Sequence, residues 1–537
     1  MKKLPLGKQN FKEIIEDGYL YVDKTHYVHQ LVSEASLYFL SRPRRFGKSL
    51  LLSTIAHLFN GEKALFEGLH IAEKADWEWE KFPVLQFNFA KFGHKVTNLT
   101  ELLSYQVEEY AEVFNVQLKH KELSLQLEEL VSTISENHKP VVFLVDEYDK
   151  PIIDFITDKV QAKINRDALR SFFSPLKDLE AKGCLRLLFI TGVSKFSKVS
   201  LFSDLNNLTD LTIDPVANTL LGITHQELSD NFGLYIEATA KVLDMSEEKL
   251  IEGMKEWYDG YSWDGENFVY NPYSLLNFFR KKRFGNFWFS TGTPTFLVRL
   301  LQKENAKPKD IEGKIVTESS FDKFDLDHLD IYMLLFQTGY LTVKKTERRR
   351  YRLRYTLGYP NQEVREAFTH NLLEAYTHQS PTIVSDAMVR MEDALQDNDL
   401  EEFIGQLKVL FSNISYHLLP KIKRKDATEA DEAKAFDVWE GYFQTVIYLM
   451  TTFLGLAVQS EITHHKGRLD LLIEAEDYLY LMELKLEEDA ADAITQIKSR
   501  EYLASYRNSP KTVVLLGVSF DKEERNVKSW KAEQWRR

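Results

Sequence analysis

The sequence has almost no cysteine, with one, Cys184, in 537 residues. A single thiol excludes a disulfide framework and a zinc cluster. Cys184 stands beside the apolar run 185–190, where a small buried side chain is expected. Long hydrophobic runs are also missing. No stretch approaches the ~20 apolar residues of a membrane span, and Met1-Lys2-Lys3-Leu4-Pro5 lacks the apolar core of a signal peptide. A cytoplasmic location without a membrane partner is therefore expected. Net positive charge is absent too. The chain carries −13 with a pI near 5.7, so any nucleic-acid contact must come from local patches. What is present is ordinary for folded protein, 44% hydrophobic and 28% charged residues. The length exceeds one core and implies about two to four domains.

Residues 20–215 alternate short apolar runs (Leu37–Leu40, Val84–Phe89, Val141–Val145, Leu185–Ile190) with helical patterns. That rhythm predicts a mostly parallel sheet with helices on both faces. Residues 216–300 read as a helical, lid-like extension whose aromatics, from 257 to 297, belong in a core. In 301–420, a helix Leu329–Thr338 stopped by Gly339 and a hairpin around Thr346–Arg350 fit a winged-helix-like module, with further helices to 418. The polar, charged stretch 421–435 is the expected linker. From 436 to 537 a helix (Phe436–Leu454), strands (Val458–Thr463, Leu469–Glu474, Tyr478–Leu484), a helix (Ala490–Tyr506) and a strand (Thr512–Val518) make a second α/β domain. The fold class is thus multidomain α/β, and no internal repeat is evident.

The first apolar run leads into Ser41-Arg42-Pro43-Arg44-Arg45-Phe46-Gly47-Lys48-Ser49-Leu50 and a Leu/Ile-rich helix. Strand, loop and helix in this order are the context of a P-loop, with backbone N–H groups at a helix start aimed at phosphates. Lys48 is expected to reach the β- and γ-phosphates of ATP and Ser49 to hold Mg²⁺, with Arg45, Phe46, Gly47 and Leu50 completing the binding loop. The general motif places glycine where Arg42 stands, and Pro43 lacks an N–H. Arg42, Arg44 and Arg45 are expected to supply positive charge instead. A basic turn that merely contains Gly-Lys-Ser is the alternative. Against it stands 141–145, a buried-strand pattern ending in Asp146-Glu147, with Asp146 placed to hold Mg²⁺ and Glu147 to act as general base. After 185–190, Ser194 is the candidate γ-phosphate sensor. Arg170 has the chemistry of an arginine finger, and no role is assigned to it.

These segments resemble the prokaryotic AAA-ATPase-like family. The matching motifs are Asp23-Lys24-Thr25, the Arg42–Ser49 loop, Asp146-Glu147-Tyr148-Asp149, Thr191-Gly192-Val193-Ser194, Asn206-Asn207-Leu208 and Trp257-Tyr258-Asp259-Gly260-Tyr261. The resemblance covers about residues 4–300 and implies a P-loop NTPase that binds and hydrolyses ATP. In that family the Arg-Pro-Arg-Arg-Phe loop is itself usual.

Near the carboxyl end, Gly467-Arg468-Leu469-Asp470 opens a strand, and twelve residues separate Asp470 from Glu483-Leu484-Lys485 on the next. Glu483 and Lys485, two apart, share a strand face, and Asp470 meets them if the strands pair. Two carboxylates and a lysine suit a Mg²⁺ site for phosphodiester cleavage. Glu440 is the candidate further metal ligand, with Glu461 as its competitor, and Gln496 and Tyr502 lie on the following helix. Asp470, Glu483, Lys485, Gln496 and Glu440 resemble the PD-(D/E)xK nuclease superfamily, across about 436–520. That resemblance implies a restriction-endonuclease-like fold with Asp470, Glu483 and Lys485 catalytic and DNA or RNA as partner. The segment's 13 basic and 17 acidic residues, net −4, argue the other way. An inactive, docking module serving an ATP-dependent switch or scaffold is therefore the alternative. Lys344, Lys345, Arg348, Arg349, Arg350, Arg352 and Arg354 form a basic cluster on the hairpin, suited either to phosphate contact or to solvation. Self-association into a homo-oligomer is left open.

Overall fold

The computed structural model describes residues 1–34, 37–195, 205, 207–289, 297–298, 300–301, 310–321, 330–412, 442–454, 457–464, 467–499, 503, 506, 509–521 and 523–535. The expected linker 421–435, Glu440 and Tyr502 lie outside them, as do the side chains of Glu461 and Arg468. The chain divides into two units, Met1–Thr291 with Gly313–Glu363, and Gly292–Glu312 with Val364–Arg537.

The first unit is built on a parallel sheet of β1 (Leu37–Ser41), β2 (Val84–Asn88), β3 (Val141–Asp146), β4 (Leu185–Gly192) and the short β5 (Thr209–Asp210), in the order β2-β3-β4-β1-β5. β1 and β3 are buried at every position. Strands covered on both faces need uninterrupted apolar runs, which Leu-Tyr-Phe-Leu and Val-Val-Phe-Leu-Val supply. Each such side chain contributes about 1.5–3 kcal/mol through burial. β4 lies between β1 and β3 and runs parallel to both, so the carboxyl ends of all three strands lie side by side at one end of the sheet.

Helices His225–Leu243, Glu247–Tyr258 and Pro272–Lys281 follow. Phe232, Ile236, Leu250, Met254, Tyr258, Tyr270 and Phe278 form their core, and Leu4, Leu20 and Val22 of the amino-terminal segment pack against it. The aromatics of this stretch are therefore core. The same unit contains helix Ile331–Thr338, capped by left-handed Gly339, and an antiparallel sheet β6 (Lys314–Thr317), β7 (Thr342–Arg349) and β8 (Arg352–Gly358) in the order β6-β8-β7.

The second unit holds helices Gln362–Thr377, Pro381–Asp397 and Leu400–Phe411, the first of which begins in the preceding unit. Its sheet is β9 (Ala457–His464), β10 (Gly467–Glu474), β11 (Tyr478–Leu486), β12 (Thr512–Asp521) and β13 (Asn526–Gln534), ordered β13-β12-β11-β10-β9. β11 and β12 are parallel and the other pairs antiparallel. Parallel neighbours need a crossover, and helix Ala490–Ser499 supplies it, pressing Ile494 and Ile497 onto Leu469, Leu481 and Leu515. No helix among the described residues is long and apolar enough to cross a membrane.

Candidate functional site

β1 delivers the chain into the loop at Ser41, whose hydroxyl donates to the Val193 carbonyl at 2.6 Å. Arg42 turns inward, against expectation. It is 1% exposed. Its guanidinium donates to the carbonyls of Ser41, Thr212 and Ala217, each at 2.8 Å, and lies 3.8 Å from the centroid of Trp263. Burial pushes its pKa down to about 9, opposed by the nearby Asp210 charge. Arg42 thus fastens the loop to the body. The exposed loop charges are Arg44 and Arg45, the latter 5.0 Å from the Tyr273 ring centroid.

Gly47 has φ +97°, a left-handed conformation that L side chains rarely adopt, and it starts helix Lys48–Phe59. A Cβ built there meets nothing within 4 Å, so open space faces the helix start. The Lys48 ammonium sits 2.9 Å from the carbonyls of both Arg42 and Pro43. Burial lowers its pKa, with Asp146 and Glu147 pulling the other way. Ser49 donates to Asp146 Oδ2 at 2.6 Å, and Thr191, from β4, donates to Asp146 Oδ1 at 2.9 Å. The two halves of the site thus meet on one carboxylate. Glu147 follows with φ +52°, and burial raises its pKa, the Lys48 charge opposing.

Ser194 does not reach this cluster as a γ-phosphate sensor. It is fully buried. Its hydroxyl donates to Asp149 Oδ2 at 2.7 Å and its N–H to the same oxygen at 2.6 Å, while Val193 N–H donates at 3.1 Å. The polar β4 residue that touches the acidic pair is Thr191. Phe46 likewise turns its ring into the core, 4.8 Å from Tyr261, so only its backbone faces the loop. Leu50 and Gly47 line a cavity of about 120 Å³ with Leu20, Val22, Leu221 and Pro272. One wall is tied to the helical extension by Lys24, whose ammonium lies 2.7 Å from both Glu227 and the Thr219 carbonyl. Glu227 also closes a capping box with Thr224 at the start of helix His225–Leu243. Asp-Lys-Thr at 23–25 was legible as a motif, but this link was not.

In the second unit, β10 and β11 pair through Leu471↔Met482, adjacent to the residues of interest. Asp470 accepts from the Leu484 N–H at 2.9 Å and from Gln444 Nε2 at 3.1 Å. Glu483 is 3% exposed. Gln496, on helix Ala490–Ser499, donates to Glu483 Oε1 and accepts from the Lys485 ammonium at 2.7 Å. One carboxamide therefore bridges carboxylate and lysine. Gln444, on the preceding helix, went unnoticed in the sequence, where a glutamine in an apolar helix gives no signal. Among the described residues no three His, Cys, Asp or Glu side chains converge to hold a metal.

A family model for predicted AAA-ATPases matches residues 5–202, and one for the PD-(D/E)XK nuclease superfamily matches 438–530. A protein of Azotobacter chroococcum mcd 1, described as an uncharacterized protein in the vnfD 5' region, is 36% identical over 536 residues, spanning 98% of each chain. The chain belongs to one family with that Azotobacter protein, with an AAA-ATPase-like domain in its amino-terminal part and a PD-(D/E)XK nuclease superfamily domain in its carboxy-terminal part. No solved structure matches it. In the AAA-ATPase-like domain the Ser49 hydroxyl and Asp146 carboxylate form a hard-oxygen donor pair, the chemistry that suits magnesium. The space beside Gly47 and the Lys48 ammonium next to it suit a phosphate chain. At the nuclease-superfamily domain, Asp470 and Glu483 offer two such carboxylates.

Proposed function

We propose that this chain binds and hydrolyses ATP at the Lys48–Asp146 cluster and uses its carboxy-terminal domain to cleave nucleic acid. The observation that carries the first half is the Ser49–Asp146–Thr191 chain of hydrogen bonds, which unites loop, acidic strand and β4. Backbone N–H groups around Gly47 hold the phosphates, and the Lys48 ammonium turns from its two carbonyls toward them. Glu147, its pKa raised, accepts a proton from the attacking water. The cavity under Leu50 receives the apolar face of the base. Ser49 and Asp146 would hold magnesium, which would supply positive charge to offset that of the phosphate oxygens. In the second domain Asp470 and Glu483 offer the carboxylates for a metal, while Lys485 orients water and offsets phosphate charge.

Gln496 favours a second reading, in which the domain docks without cutting. Its carboxamide joins Glu483 to Lys485 and holds both away from a substrate. One experiment separates the two. Purified full chain is incubated with Mg²⁺ or Mn²⁺ and single- or double-stranded DNA or RNA, with and without ATP, beside Lys48→Ala and Lys485→Ala. Cleavage lost in Lys485→Ala with ATP turnover retained supports the proposal. No cleavage under any metal, with ATP turnover intact, leaves the docking reading.

A further inference from the structure

The β7–β8 hairpin concentrates charge that the proposed chemistry does not use. Residues 342–358 hold seven basic and one acidic residue, net +6, in a chain of net −13. The single acid, Glu347, is engaged by Lys345 at 2.5 Å. Register separates the hairpin into a fixed base and a presented tip. At the base, the Thr342 hydroxyl donates to the Ser262 carbonyl at 2.7 Å, Thr346 to the Asp264 carbonyl at 2.5 Å, and Lys344 to the Pro360 carbonyl at 3.1 Å. At the tip, Arg349 pairs with Arg352, so Arg350 and Tyr351 form a two-residue turn.

Arg348, Arg349, Arg350, Arg352 and Arg354 are exposed, and Tyr351 is 100% exposed, more than any other large hydrophobic side chain among the described residues. Arg349 and Arg352 stand directly opposite on one face, and Arg354 follows two residues later on that face, opposite Glu347. Like charges directly opposite across a strand pair are destabilising. Arg350 adds φ +57°, which a non-glycine residue adopts at a cost. A sequence that only needed solubility gains nothing from this arrangement. An anionic partner removes the repulsion.

We propose that this tip binds a nucleic-acid strand with accessible bases, the arginines taking successive phosphates and Tyr351 stacking on a base. Arginine matches phosphate in a two-pronged geometry, and an aromatic ring flanked by cationic side chains is what a single strand presents itself to. An acidic protein surface would satisfy the arginines but gives no use to a fully exposed ring between them. The inference rests on the reading that this chain acts on nucleic acid, and it names a contact surface outside the residues assigned to cleavage.

The test is fluorescence anisotropy of full chain in EDTA, so that nothing is cut, against labelled 30-nucleotide poly-dT and a duplex of equal length over a range of KCl. Arg349→Gln/Arg350→Gln/Arg352→Gln is expected to weaken single-strand binding at least tenfold and to lower the salt slope by about 2, at ~0.7 per lost phosphate contact. Tyr351→Ala is expected to weaken single-strand binding about tenfold and to leave duplex binding within about twofold. Unchanged melting and ATP turnover show that the variants fold. Unaltered affinity and slope in the triple variant, no binding by the parent chain, or displacement by polyglutamate as effective per charge as by poly-dT would each overturn the proposal. The nuclease reading fails separately, in the cleavage assay with Lys485→Ala.

Discussion

Ser194→Ala separates a structural hydroxyl from a nucleotide-sensing one. In the structure this hydroxyl donates to Asp149, a fully buried carboxylate that also receives two backbone N–H groups. Hydrogen bonds to charged groups contribute about 1.5–3 kcal/mol each, and the two N–H donors survive the substitution. The expected loss is therefore about 2 kcal/mol. Because the chain has two units, one unfolding free energy is ill-defined, and the readout is the midpoint of the transition that ATP shifts. With a urea slope of about 3 kcal/mol/M, that midpoint should fall by about 0.7 M. ATP affinity, measured on folded protein without denaturant, should stay within about twofold. Thr191→Val is the contrasting variant. It removes the donor to Asp146 Oδ1 and should reduce ATP turnover at least tenfold. Ser194→Ala that keeps its midpoint and loses ATP affinity tenfold would refute the assignment and return Ser194 to the nucleotide.

Four further outcomes are expected. Burial raises the Glu147 pKa, and a base works only when ionised, so ATP turnover should fall on acidification through a pKa above the ordinary glutamate value of about 4.3. A pH–rate profile in which Glu147→Gln retains that limb would exclude Glu147 as its source. Gly339→Ala places a Cβ 2.6 Å from Pro43 Cβ at φ +91°; a destabilisation of about 2–4 kcal/mol in urea titration and weaker ATP binding are expected. Arg42→Lys cannot serve three carbonyls and the Trp263 ring together, so a loss of about 2–4 kcal/mol should appear in the same titration. Gln496→Ala frees Lys485 and Glu483 from their bridge; cleavage that falls at least tenfold marks Gln496 as a positioning residue, whereas cleavage that rises supports the docking reading of that contact.

The parallel strands were legible because burial on both faces demands continuous apolar sequence, as in Val141–Val145. β13 was not, since Asn-Val-Lys-Ser-Trp-Lys-Ala-Glu-Gln is an edge strand with one wet face and few apolar residues to mark it. The loop, Asp146 and the pairing of Asp470 with β11 followed from motif order. Choosing between Thr191 and Ser194 did not. The two hydroxyls sit three residues apart where β4 ends, and strand alternation no longer says which faces Asp146. Arg42 was misread for a related reason. Sequence reports its charge, but Trp263 and two of the three carbonyls that bury it, those of Thr212 and Ala217, come from far along the chain. Charge in a loop is phosphate-binding only when the fold leaves it exposed, as it leaves Arg44 and Arg45.

The same contacts tie the Arg42–Ser49 loop to the helix that precedes the basic hairpin. Pro43 touches Gly339 closely enough that a single added Cβ would collide. Trp288 donates its indole N–H to the Arg44 carbonyl at 2.9 Å and its backbone N–H to buried Glu363 at 2.6 Å. At the end of β4, Lys195 N–H donates to Gln337 Oε1 at 3.1 Å. Gln337 and Gly339 bracket the end of helix Ile331–Thr338, and β7 begins three residues later with Thr342. Packed interiors transmit displacement because they have little free volume. We therefore expect that a loop shift, were Lys48 to leave its two carbonyls for a phosphate, would displace the end of this helix and with it the base of the basic hairpin. The coupling has a direct check: Gln337→Ala, which cuts the β4 contact and leaves Pro43–Gly339 in place, should weaken the dependence of hairpin nucleic-acid binding on ATP while ATP affinity changes little. Equal ATP dependence in Gln337→Ala and the parent chain would remove the β4 contact from the coupling, and nucleic-acid binding by the parent that ignores ATP would refute the coupling altogether.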